Sequence, residues 1–160
     1  MAKAKKAIPE GYHTATPYLV AKDAGAAIEF YKKAFGAKEV MRIAAPDGRI
    51  GHAEITIGDS RIMLSDEYPD MGARSPHTLG GSPVSIYLYV EEVDAVAGRA
   101  VAAGAKLLRP VEDKFYGDRS GSLEDPFGHT WHVATHKEDL SAEELRKRSN
   151  EFMKQQAAAH

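Results

Sequence analysis

Cysteine is absent from the 160 residues. That excludes disulfides, thiolate metal sites and cysteine nucleophiles, and it leaves the redox compartment unread. No apolar run approaches the roughly 18–20 residues that a membrane helix needs. The basic start, Met1-Ala2-Lys3-Ala4-Lys5-Lys6-Ala7-Ile8-Pro9, lacks the apolar stretch of a signal peptide. A soluble, cytoplasmic chain with no membrane partner is the expectation. No sign of charge dominates either: 21 Lys and Arg against 23 Asp and Glu leave a net −2. So weak a field draws neither nucleic acid nor an anionic surface from a distance. GxGxxG, Walker and Gly-x-Ser-x-Gly sequences are all missing, which removes the usual phosphate cradles and serine-nucleophile elbows. Leu79-Gly80-Gly81-Ser82 is glycine-rich, but a strand pattern follows it where a phosphate cradle needs a helix start.

What is present is a repeat. Shifted by 68 positions, Ala34-Phe35-Gly36-Ala37-Lys38 falls on Ala102-Ala103-Gly104-Ala105-Lys106, and residues 23–40 lie over 91–108 with five identities. Alanine richness inflates such a score; the order of elements strengthens it. Thr14–Ala21 alternates like a strand. Asp23 can cap a helix carrying Ala27, Ile28, Tyr31 and Phe35 at helical spacing, which Gly36 ends. Strands then fit Lys38–Ala44, Ile50–Ile57 and Arg61–Ser65, parted by Pro46-Asp47-Gly48 and Gly58-Asp59.

The second half repeats the order: strand Ser85–Val90, helix Val93–Ala103, strand Lys106–Val111, and strands near Arg119–Glu124 and Thr130–Thr135 around the turn Asp125-Pro126-Phe127-Gly128. The expected fold is α+β: two tandem βαβββ modules forming curved mixed sheets around a cavity, plus a C-terminal helix. Residues 1–12 are expected as a flexible tail, 13–67 as the first module, 68–82 as a Pro/Gly/Ser-rich linker, 83–137 as the second module and 138–160 as the helix. Ser141-Ala142-Glu143-Glu144 is a capping-box start for that helix. Its apolar stripe is thin, chiefly Leu145 and Phe152, so it needs a docking surface on its own domain or on a neighbouring subunit.

Two βαβββ modules resemble the vicinal oxygen chelate superfamily, which includes glyoxalase I, bleomycin and fosfomycin resistance proteins and extradiol dioxygenases. Pro17-Tyr18-Leu19-Val20, Ala27-Ile28-Glu29-Phe30-Tyr31, Gly51-His52-Ala53-Glu54, Gly117-Asp118-Arg119-Ser120-Gly121 and Asp125-Pro126-Phe127-Gly128-His129 are similar to its PhnB-like branch. The resemblance implies a homodimer and a small-molecule ligand in a cavity between modules. It also implies, in metal-using members, a divalent ion held from the first and last strands of each module. Those positions fall on Thr16, Leu64, Ser85 and His132. Only His132 is a good ligand type for such an ion, so no cofactor is expected at the usual positions.

The residues offer other chemistry. Alternation puts His52, Glu54 and Thr56 on one strand face, opposite Ala53, Ile55 and Ile57. His52 and Glu54 are the candidate catalytic pair, and Thr16, Tyr87, Tyr89, Arg119 and His132 are candidate ligand-lining residues. If a divalent metal is used after all, His52, Glu54 and His132 are its candidate ligands. Along a strand His132 and His136 stand about 13 Å apart, too far to share an ion, so His129, His132 and His136 are no zinc motif. Trp131 has parity opposite to His132 and is expected under a helix. Three functions remain open at this point. The first is a binding protein without the usual complete metal site; the second, a lyase- or isomerase-type enzyme using Glu54 with His52 or His132; the third, an interaction module whose cavity is self-filled.

Overall fold

The computed structural model describes residues 2–160. Among them no helix is long and apolar enough to cross a membrane. The chain divides into two units: residues through Pro83 together with Pro126–His129, and Val84–Asp125 together with Thr130–His160.

In the first unit, β1 (Tyr18–Ala21), α1 (Ala24–Phe35), β2 (Lys38–Ala44), β3 (Ile50–Ile57) and β4 (Ser60–Asp66) form one βαβββ module. Its sheet order is β1-β4-β3-β2, with β1 parallel to β4 and the other pairs antiparallel. Helix α1 begins where the Asp23 carboxylate accepts from the Ala26 amide and ends where Gly36 takes the left-handed conformation at φ 68°. Its stripe of Ala27, Ile28, Tyr31 and Ala34 is buried against β1, β3 and β4. From the sheet, Leu19, Ala53, Ile55, Ile62 and Leu64 meet it. A buried Asp66 fastens the two layers: Oδ1 accepts from Ala24 N at 2.7 Å and Oδ2 from Ile50 N at 2.6 Å.

Three sequence expectations shift here. The first strand starts at Tyr18 instead of Thr14, because Pro17 has no N–H for the ladder and only its carbonyl is used, by Met63 N. The stretch after β4 is built rather than loose: a 3-10 turn (Pro69–Met71) and α2 (Pro76–Leu79) lie within it. The Glu67 carboxylate accepts from Ser75 N at 2.7 Å, and Ser75 Oγ caps Thr78 N. The end of the N-terminal tail is also seated: Arg61 lies over the Tyr12 ring at 5.2 Å, and a Cβ on Gly11 would stand 2.8 Å from Arg61 Nη2.

In the second unit, β5 (Ser85–Tyr89), α3 (Val93–Ala102), β6 (Lys106–Asp113), β7 (Asp118–Glu124) and β8 (Thr130–His136) repeat the module. The sheet order β5-β8-β7-β6 has the same parallel and antiparallel pairs. Tyr18 pairs with Met63 in the first sheet and Tyr87 with His132 in the second, a shift of 69 positions. Beyond the helices, Gly36 and Gly104 restore the 68 seen in the sequence. Helix α3 packs on β6, β7 and β8. Thr135 Oγ1 accepts from Val93 N at 3.0 Å, the task that Asp66 performs for α1. Fully buried Trp131 donates from Nε1 to Asp125 at 2.8 Å. Strand β6 runs on to Asp113, with register breaks on either side of Arg109, the second spanning Pro110, whose missing N–H interrupts the ladder. Gly121 is required opposite this break, since a Cβ there would meet Val111 Cγ2 at 2.9 Å.

Helix α4 (Ala142–Ala158) opens on Ser141, whose Oγ accepts from Glu144 N. None of its residues is buried. It docks within its own unit, with Phe152 on Phe115 at 4.9 Å between centroids and Arg148 bonded to Glu138 and the Phe115 carbonyl.

Candidate functional site

On β3 the helix side takes Ala53, Ile55 and Ile57, which leaves His52, Glu54 and Thr56 half-buried on the opposite face. Cross-strand register adds neighbours to that face. Met63 pairs with both Tyr18 and Glu54, and Arg61 pairs with Thr56. Thr16 lies just ahead of β1 and is half-buried. Leu64 belongs to the helix side and is fully buried, so the β4 residue beside Tyr18 and Glu54 is Met63.

The polar side chains of this face form a connected set. His52 Nδ1 lies 3.0 Å from the Tyr18 hydroxyl and Nε2 lies 3.2 Å from Glu54 Oε1. The Tyr18 and His52 rings are 5.6 Å apart and tilted by 39°. On the far side of Glu54 stand Tyr12 and Arg61. The Tyr12 hydroxyl faces Glu54, and Arg61 Nη1 is shielded from solvent with no hydrogen-bond partner among the described residues. Burial first, and the facing Glu54 carboxylate second, push the Tyr12 hydroxyl up to about 12. The Tyr12 hydroxyl, then His52 and Arg61, outweigh burial and hold the Glu54 carboxyl below the usual range. Glu54 is therefore an anion that orients its neighbours and a poor proton acceptor at neutral pH. Tyr12, Tyr18 and Arg61 are missing from the sequence-level set. The parity of Tyr18 with its strand partner could have found that residue; nothing local marks the other two.

The second unit has its own polar face. Ser85, Tyr87 and Tyr89 share it with His132, Ser120, Ser122 and Asp118. Tyr87 stacks on His132 at 5.6 Å, and Tyr89 lies 5.2 Å from Tyr87. Buried Asp118 is the hub: it accepts from Tyr87 at 3.3 Å and Tyr89 at 3.0 Å and lies 2.8 Å from His136 Nδ1. Asp118 raises the Tyr89 hydroxyl first and burial second, whereas for Tyr87 burial leads and the hydrogen bond to Tyr116 follows. Arg119 faces away, toward α3. Its fork spans Asp94 at 2.8 and 2.9 Å, and Nη1 reaches Asp113 at 3.3 Å. Arg119 is thus engaged by these two aspartates, off the face on which a ligand-lining role was expected of it. His129 bonds the Val20 carbonyl and His136 bridges Asp118 and Asp139, so the three clustered histidines serve separate tasks.

A family model described as Glyoxalase/Bleomycin resistance protein/Dioxygenase superfamily matches residues 12–133. The chain belongs to that superfamily. An uncharacterized protein of Mycobacterium tuberculosis is 44% identical over 133 residues, 81% of this chain and 78% of the relative. The X-ray structure of an Arabidopsis thaliana gene product matches with a TM-score of 0.62 at 28% identity, over 77% of this chain and 98% of that one. The PhnB protein from Bacillus cereus matches with a TM-score of 0.61 at 21% identity, over 77% and 99% of the two chains, a likeness of fold alone.

The divalent ion of metal-using relatives fits these residues poorly. The inherited positions offer hydroxyls at Thr16 and Ser85, one imidazole at His132 and, with Leu64 turned to the helix side, the thioether of Met63 on the polar face. No group of three or more His, Cys, Asp and Glu side chains arranged for a metal ion occurs among the described residues. Both ring nitrogens of His52 are already engaged.

Proposed function

We propose that this superfamily member is a small-molecule-binding protein of the glyoxalase/bleomycin-resistance type, of the PhnB-like branch, whose ligand lies on the polar sheet face of the first module. The hydrogen-bonded row Tyr18–His52–Glu54 carries the reading. A sheet face with no ligand to meet needs only solvated polar side chains. This one instead holds an aromatic pair, an engaged carboxylate and, at Arg61 Nη1, a shielded donor whose bond no described residue satisfies. Such donors are costly to leave unmade, and a ligand oxygen or a water satisfies them. Tyr87, Tyr89 and His132 supply an aromatic, hydroxyl-bearing surface of the same kind on the second module.

The test is a thermal-shift screen of small acids, thioethers and glycopeptides against the wild type and His52→Ala. A compound that raises the wild-type melting temperature and leaves the variant's unmoved supports the reading. Silence across the panel favours a self-filled interaction module. A second copy of the chain is the proposed partner, supported by the exposed apolar residues Val40, Met41 and Ile43 on β2 and Leu107 and Leu108 on β6. Analytical ultracentrifugation tests it, and a monomer at micromolar concentration refutes it.

The enzyme alternative, a lyase or isomerase with Glu54 as proton acceptor, has a weaker basis, since Tyr12 and His52 hold that carboxyl ionised.

A further inference from the structure

The row Tyr18–His52–Glu54 has a direction, and the carboxylate sets it. An ionised carboxylate only accepts hydrogen bonds, so His52 carries its proton on Nε2, toward Glu54 Oε1 at 3.2 Å. In a neutral imidazole the lone pair is then on Nδ1, and the Tyr18 hydroxyl donates to it at 3.0 Å. With its proton committed inward, the Tyr18 oxygen presents only lone pairs outward. Tyr18 is 49% exposed, whereas the Glu54 side chain is 18% exposed. The accessible end of the row is thus an acceptor attached to a tilted pair of rings, a surface suited to a flat molecule.

We propose that Tyr18 is the proton-accepting group for a small, flat ligand bearing an acidic O–H, a phenol or an enol, with His52 storing the proton and Glu54 positioning His52. This rests on the reading that the first module's polar face binds a small molecule. In the step, the ligand's O–H bond breaks and its electron pair stays on the ligand oxygen. Its proton bonds to Tyr18 Oη as Tyr18's own proton passes to His52 Nδ1. The products are a bound phenolate or enolate and an imidazolium held against the Glu54 carboxylate. Atoms and charge balance without an oxidant or a metal. The shielded Tyr12 hydroxyl and Arg61 guanidinium keep Glu54 charged while its own proton-accepting capacity stays unused.

The probe is 4-nitrophenol, whose phenolate absorbs where the phenol does not. Calorimetry measures its binding, and absorbance against pH measures its ionisation. Bound to the wild type, the probe is expected to ionise about one unit below its value in buffer, the size of shift a nearby positive charge produces. Tyr18→Phe is expected to bind the probe and lose the shift, and Glu54→Gln to reduce it, both with far-UV circular dichroism unchanged. A bound probe with no downward shift overturns the proposal, and so does an undiminished shift in Tyr18→Phe. If 4-nitrophenol does not bind while another compound of the screen protects the wild type, the proposal fails and the binding role stands. If nothing binds, both fail. Nitrogen-15 NMR of His52 gives a ligand-free check: the Nε2–H tautomer is expected, and the Nδ1–H tautomer overturns the relay.

Discussion

Replacing Asp66 tests how each module holds its helix to its sheet. The carboxylate is buried and accepts two buried backbone amides, Ala24 N at the start of α1 and Ile50 N at the start of β3. In Asp66→Ala both lose their acceptor, and each unsatisfied buried amide costs about 1–3 kcal/mol, so roughly 2–6 kcal/mol of stability is expected to go. The second module supplies its own control. Position 135 stands to Val93 as position 66 stands to Ala24, and there a threonine hydroxyl accepts the helix amide. Asp66→Thr should therefore keep the bond to Ala24 and orphan only Ile50, losing roughly half as much. Urea unfolding of both variants, followed by tryptophan fluorescence and circular dichroism, measures the two values. Equal losses in the Thr and Ala variants would show that the carboxylate's role at α1 is not the one Thr135 plays at α3. A loss below about 1 kcal/mol in Asp66→Ala would show the amides finding other partners.

Three further outcomes are expected. Glu67 is held down to about 2, first by the Ser75 hydroxyl and then by Thr78 and the Ser75 amide. Its stabilising contribution is present above the ordinary glutamate value near 4.3 and is lost as pH falls toward 2. Carbon-13 NMR in Ser75→Ala should find the carboxyl moved back toward the ordinary range. The Asp118 carboxylate, and after it Asp139, raises the His136 imidazole. That stabilisation is complete below the ordinary histidine value near 6.5 and fades as pH rises through the higher folded value. A proton NMR titration should give a midpoint above the ordinary value, falling in Asp118→Asn. Phe152 and Arg148 tie α4 to Phe115 and Glu138, so the double replacement by alanine should speed amide exchange in α4 and leave the β5–β8 sheet unchanged.

The fold was legible because its signals are local and come twice. Asp23 before an apolar stripe and Gly36 after it mark a helix, and the structure uses both residues as the sequence suggests. The face of β3 was legible for the same reason, since a period of two separates His52 and Glu54 from Ala53 and Ile55. Carrying a position through a motif was less secure. Leu64 and Met63 are adjacent, and one step along a strand exchanges the helix side for the polar face. Pairing with Tyr18 and Glu54 identifies Met63 as the residue in question. Arg119 illustrates a different limit. Its parity can be read from the strand, but Asp94, which engages its fork, lies 25 positions away on α3 and only tertiary packing brings it there.

The paired positions explain why chemistry was harder to read than architecture. Residues that close the two modules keep their task while changing identity, as Asp66 and Thr135 do. Residues on the polar faces keep their place and change what they can do. Tyr18 and Tyr87 correspond, yet the Tyr18 hydroxyl meets an imidazole, whereas that of Tyr87 donates to a carboxylate. Met63 corresponds to His132, so one face has a thioether where the other has an imidazole stacked on its tyrosine. The two faces therefore offer different donors and acceptors at corresponding places. Selection for packing acts on each module alike, because each must cover its sheet with one helix. The polar faces are not bound by that requirement, and it is the first face whose Tyr18–His52–Glu54 row ends in an exposed hydroxyl.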